Sequence, residues 1–186
     1  MKPMNALKPS DAVLAIRCQL GDKGAWEELV QRWHPRLWGF VSRMILDRTT
    51  AEDVLQTIWL RVIRSLVRLR DPERFTAWIY QIARIAVADR LRDKYRQPVP
   101  EELGELSDPD AGIDQLVATD AVQHGLRELH PLDRETVILH YLKELPVAEV
   151  AEICGIPSGT VKSRLYRARR IMRRALSSEG TNNELS

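Results

Sequence analysis

Cysteine, glycine and phenylalanine are scarce in this chain, with 2, 9 and 2 residues among 186. The two cysteines, Cys18 and Cys154, lie far apart and each sits inside a helical pattern. That spacing excludes a disulfide framework and a paired-cysteine metal site. Both read as packing residues of a protein kept in a reducing compartment, the cytoplasm. The four histidines, His34, His124, His130 and His140, show no metal-ligand spacing. No apolar run reaches the roughly 18 residues of a membrane span. The opening segment MKPMNALKPSDA lacks an apolar signal core. Alternating strand patterns are absent. Paired carboxylates, a Gly-rich phosphate loop and a Ser/His/Asp cluster are missing too. The expectation is therefore no enzyme, no cofactor and no small-molecule substrate.

What is present is helical periodicity from end to end. It predicts an all-α fold, with helices near 11–20, 24–46, 51–68, 73–96, 115–128, 132–143, 147–154 and 158–177. Ser10 suits the start of the first helix and Gly21 its end. Pro35 predicts a kink in the second. Thr50 opens TAED, a variant of the capping box, and Asp71-Pro72 starts the fourth helix. Composition breaks sharply once. Residues 97–114, QPVPEELGELSDPDAGID, hold three prolines, two glycines and six acids with no Lys or Arg. This reads as a flexible acidic linker. The chain is thus expected to form a helical domain over 1–96, a linker over 97–114, a second helical domain over 115–177 and a disordered tail over 178–186.

Net charge is only +2, but its distribution is uneven. Between Ser158 and Ser178 stand seven Lys or Arg residues and no Asp or Glu. Before them, Val147, Val150, Ala151 and Cys154 share one helical face. Gly155 suits a left-handed helix end, and Pro157 suits the start of the next helix. In that next helix Val161, Leu165, Ala168 and Met172 form the apolar stripe. Lys162, Ser163, Tyr166, Arg167, Arg169 and Arg170 then face outward. This is a helix-turn-helix with a cationic second helix, suited to a DNA major groove. Arg bonds guanine bidentately, and cations anchor a helix on the phosphate backbone.

In the N-terminal half, Phe75, Trp78, Ile79, Ile82, Ala86 and Leu91 form an apolar face, followed by Arg84, Arg90, Arg92, Lys94 and Arg96. Aromatic and basic residues so interleaved can hold single-stranded nucleic acid. Phe75 reads as core. Trp78 fits either core packing or stacking on a base. Within 50–66, Val54, Ile58, Val62 and Leu66 form one stripe, with Leu55, Trp59 and Ile63 beside it. A helix this apolar serves the core and has width left for a partner.

This order resembles the bacterial RNA polymerase sigma factors of the extracytoplasmic-function type. AEDVLQTIWLRVIRSL resembles their core-binding helix, the segment Phe75 to Arg92 their -10 region, and GIPSGTVKSRLYRAR their -35 recognition helix. The resemblance covers roughly residues 11–96 and 116–177. It implies a sigma region 2 helical bundle and a sigma region 4 helix-turn-helix. The partners implied are core RNA polymerase, through its beta-prime clamp and beta flap, promoter DNA and an anti-sigma factor. It assigns Asp53, Gln56 and Trp59 to core polymerase. Trp78, Tyr80, Arg84, Ile85 and Arg92 fall to the -10 element. Ser158, Thr160, Lys162, Ser163, Arg164, Tyr166, Arg167 and Arg170 fall to the -35 element. At Ile85 the family often carries Asn. Ile cannot hydrogen-bond a base edge, so the -10 base is read there by shape, by apolar contact or by another residue. A linker of this length spans about 25 Å as a coil and roughly 60 Å when stretched. Elements one to two duplex turns apart lie about 35–70 Å from each other, so the linker bridges them only when drawn out. A stand-alone regulator built on the same helix-turn-helix is the alternative, with dimerisation or ligand sensing in its N-terminal half.

Overall fold

The computed structural model describes residues 9–96 and 120–182. The expected linker and the first residues of the second expected domain lie outside the described residues. The helices are α1 Asp11–Gln19, α2 Lys23–Met44, α3 Arg48–Ser65, α4 Phe75–Arg96, α5 Asp120–Arg127, α6 Pro131–Val137, α7 Val147–Cys154 and α8 Ser158–Asn182. A π-helical turn, Ile138–Leu142, continues α6. No strand occurs among the described residues.

Local chemistry sets most helix ends. Ser10 accepts from the Val13 N–H at 3.2 Å and starts α1. Gly21, at φ 85°, turns the chain into α2, which runs unbroken through Pro35. The cap of α3 differs from the expectation. Asp47, not Thr50, sits at the N-cap and accepts from the Thr50 N–H at 2.7 Å. The helix therefore begins one turn's worth of backbone earlier, because a carboxylate outcompetes the hydroxyl as acceptor for the free amides. Asp71 caps a short turn, Pro72–Arg74, that leads into α4. Gly155, at φ 65°, closes α7, and its N–H bonds the Glu152 carbonyl at 3.2 Å. The last helix runs to Asn182, past position 178 where the tail was expected to begin.

The first half packs around Trp33 of α2, which is fully buried. Its ring meets the rings of Phe75 at 5.4 Å and Tyr80 at 5.5 Å, both edge-on. The stripe Val54, Ile58, Val62 and Leu66 of α3 is buried as expected. The neighbouring stripe splits, with Leu55 inside and Ile63 exposed. In the second half, α8 lies across α5, α6 and α7 and buries Val161, Leu165 and Ala168. The halves meet where α4 packs on α7, and α2 on α6 and its π-helical turn. Gly39 lies at that seam, where a Cβ would come within 2.8 Å of Lys143 Nζ, the movable end of a long side chain. No helix among the described residues is long and apolar enough to cross a membrane.

The cap assignment predicts that Asp47→Ala lowers unfolding free energy by about 1 kcal/mol in denaturant titration, whereas Thr50→Ala costs clearly less. Equal losses would return the cap to Thr50.

Candidate nucleic-acid interface

Burial of Val161, Leu165 and Ala168 turns the opposite face of α8 outward. Lys162, Ser163, Tyr166, Arg167, Arg169 and Arg170 are exposed, as is Ser158. Thr160 and Arg164 are half-buried. The spacing 163, 166, 167 and 170 gathers a hydroxyl, a phenol and two guanidiniums on one strip. Two members are not free. Ser163 donates back to the Gly159 carbonyl at 3.0 Å. Arg167 donates through Nε and Nη2 to Asp133 of α6, both at 2.6 Å. The Asp133 carboxylate beside it holds the Arg167 guanidinium above its ordinary range.

The α4 residues divide. Tyr80 is a correction: it is only 2% exposed, wedged between Trp33 and Phe40, so its ring is closed to an unpaired base. Burial pushes its phenol well above the usual value. Only the packing of its ring on Trp33 and Phe40 of α2 reveals its burial. Trp78 is half-buried and tilted against Phe75 at 5.6 Å. Ile85 is exposed. Arg92 is exposed and paired with Asp89. Arg84 is half-buried and bridges to Glu135 of α6 at 3.0 Å.

That bridge belongs to a larger contact. Glu152 of α7 pairs with Arg74, and its carbonyl accepts from the Gln81 amide at 3.2 Å. Carboxylates of the second half thus occupy Arg84 on α4 and Arg74 in the turn before it. Glu135 is the buried member, with its side chain 6% exposed. Desolvation raises its pKa above the usual carboxylate range, opposed chiefly by Arg84. Cys154 beside it is a free buried thiol, pushed up to about 12 by burial. Sequence periodicity did not reveal Glu135, Glu152 or Asp133 as partners of basic residues.

On α3, Asp53 and Gln56 are exposed, while Trp59 is half-buried against His34 in a stacked pair at 6.5 Å. Leu60 and Ile63 continue the exposed face, and Val67 is exposed in the turn Leu66–Arg68 beyond α3. Spacing 53, 56, 60 and 63 makes one face of α3, two polar groups followed by two apolar ones. Leu60 was not singled out by sequence, although the i, i+3, i+7 spacing from Asp53 contains it.

The raised pKa of Glu135 fixes a pH effect. A carboxyl titrating higher in the folded chain adds stability below its unfolded pKa and loses it as pH rises through the folded pKa. Denaturant stabilities compared between about pH 4 and pH 8 should show wild type losing more than Glu135→Gln as pH rises. Parallel profiles for the two would count against desolvation at Glu135.

The matches to known proteins fall on these same elements. Residues 29–97 match the family model for Sigma-70 region 2, and residues 119–172 that for Sigma-70, region 4. RNA polymerase sigma factor CarQ of Myxococcus xanthus is 31% identical over 159 residues, 84% of this chain and 91% of that protein. ECF RNA polymerase sigma factor SigW of Bacillus subtilis is 28% identical over 174 residues, 84% of this chain and 91% of that protein. Among solved structures, sigma factor RpoE from Bartonella quintana, bound to anti-sigma factor NepR, aligns with TM-score 0.71 at 24% identity over 82% of this chain and 96% of that one. CnrH, bound to the cytosolic domain of CnrY, aligns with TM-score 0.69 at 24% identity over 90% of this chain and 97% of that one. With region 2 on α2 to α4 and region 4 on α5 to α8, the chain belongs to the sigma-70 family, among its extracytoplasmic-function RNA polymerase sigma factors.

Proposed function

We propose that the chain binds core RNA polymerase and directs promoter-specific initiation, with α8 reading the -35 element as duplex and α4 taking part in melting the -10 element. The observation that carries this reading is the outward cationic strip of α8, set on a helix-turn-helix by the buried Val161, Leu165 and Ala168. In it, Ser158, Thr160, Lys162, Ser163, Arg164, Tyr166, Arg167 and Arg170 serve the -35 element. The α3 stripe headed by Asp53 and Gln56, with Trp59 at its edge, docks on the beta-prime clamp, and the second half reaches the beta flap. On α4, Trp78, Ile85 and Arg92 remain the -10 candidates. Arg84 joins them only after Glu135 releases it.

The domain reading is 1–96 for core and -10 binding, 97–114 as the acidic connection and the helix-turn-helix half for -35 binding. The chain is a cytoplasmic initiation factor rather than an enzyme. An anti-sigma factor is its regulator in this reading. The fold is shared with a sigma factor solved in complex with an anti-sigma factor. Matching of both halves to sigma regions leaves the stand-alone regulator without a supporting observation.

Run-off transcription with purified core polymerase and a genomic promoter library tests the reading. Discrete transcripts dependent on the added chain are expected. Tight promoter binding by the isolated chain, unimproved by core polymerase, would overturn it. At the promoters recovered, Trp78→Ala should reduce permanganate reactivity of unpaired thymines more than it reduces duplex docking. A variant that melts as well as wild type would place Trp78 in the core alone.

A further inference from the structure

Asp133 stands third in α6, outside the recognition helix, and its carboxylate is buried with 1% exposure. A buried carboxylate needs a partner, and it has one. Arg167 Nε donates to Oδ2 and Nη2 to Oδ1, both at 2.6 Å. This is the paired fork by which guanidinium and carboxylate bind most strongly. The Arg167 side chain is 58% exposed. Asp133 therefore grips the guanidinium from the protein side, and the remaining N–H donors lie on the edge turned to water. Next to it, Arg164 Nη1 donates to the Leu132 carbonyl at 3.4 Å, so a second arginine ties the same turn of α6 to α8.

The pairing changes two properties of Arg167 at once. A lone arginine on a DNA-facing helix is a mobile cation that finds phosphate anywhere. Neutralised by a carboxylate, it offers little net charge to a backbone. Its fork is also held in one plane, the geometry needed to reach both acceptors of a guanine edge.

We propose that Asp133 is a specificity-determining positioning residue, one that makes Arg167 a base reader instead of a phosphate anchor. This rests on the reading of α8 as the -35 helix. Polymerase holoenzyme reconstituted with the full chain is assayed on promoters whose -35 base pairs are replaced singly, across a salt series. Asp133→Asn keeps the shape and removes the charge. It should lower discrimination at one -35 base pair about tenfold and steepen the log–log salt dependence by about one. Arg167→Ala should abolish the same discrimination, and the double variant should behave as Arg167→Ala alone. Should Asp133→Asn fold poorly by circular dichroism, Arg167→Lys tests the fork without touching Asp133. It should lose the discrimination while leaving the salt slope unchanged.

Wild-type discrimination in Asp133→Asn, with loss in Arg167→Ala, overturns the proposal and leaves the reading of α8 standing. A common loss on every promoter with discrimination intact makes Asp133 a simple strut and overturns it equally. Full discrimination in Arg167→Lys overturns the role of the fork. Wild-type discrimination in Arg167→Ala at every position removes the reading of Arg167 beneath the proposal.

Discussion

Burial of three consecutive charges at the start of α6 organises much of this molecule. Asp133, Arg134 and Glu135 are all withdrawn from water. Each is answered by a different part of the chain. Asp133 holds Arg167 on α8. Arg134 donates to the carbonyls of Arg127 and Leu129 at 2.8 and 3.2 Å, where α5 ends and its backbone acceptors are free. Glu135 reaches Arg84 on α4 in the other half. One short turn thus joins the end of one helix, the cationic strip of a second and the seam between the two halves.

Such an arrangement is tolerated only because every charge has a partner. Desolvation disfavours the charged forms of Arg134 and Glu135, the Arg127 charge adds to it at Arg134, and both pKa values move in that direction. The net rise at Glu135 means that Arg84 does not fully offset burial. Bridges of this kind add geometric definition more than stability. In a sigma factor that definition has a use. The same turn sets the -35 strip and engages a basic side chain of the helix assigned to the -10 element. DNA phosphates and the carboxylate of Glu135 address the same kind of group on α4, so access to that helix is electrostatic as well as steric.

Much of the fold was legible because apolar spacing dominates it. The stripes Val54–Ile58–Val62–Leu66 and Val161–Leu165–Ala168–Met172 were read directly, and all are buried except Met172, which is half-buried. Ser10, Gly21 and Gly155 announced their helix ends by chemistry that depends on near neighbours only. The cap of α3 was misplaced because Asp47 and Thr50 are both good caps three residues apart, and sequence does not rank a carboxylate already in position. Tyr80 was misplaced because a tyrosine in a basic-aromatic segment resembles a ligand platform, while only packing shows it wedged against Trp33. The charged turn of α6 escaped for a different reason. Residues 133 to 139 are buried all round by surrounding helices, so no polar face exists for periodicity to find. The partners of Asp133 and Glu135 lie 34 and 51 positions away in sequence, beyond any local pattern.

Glu135 and Arg84 attract one another across the seam between the halves. A double-mutant cycle with Arg84→Met and Glu135→Gln, read by denaturant unfolding, tests it most directly. A favourable coupling on the order of 1 kcal/mol is predicted. Losses that add to within about 0.3 kcal/mol would contradict it.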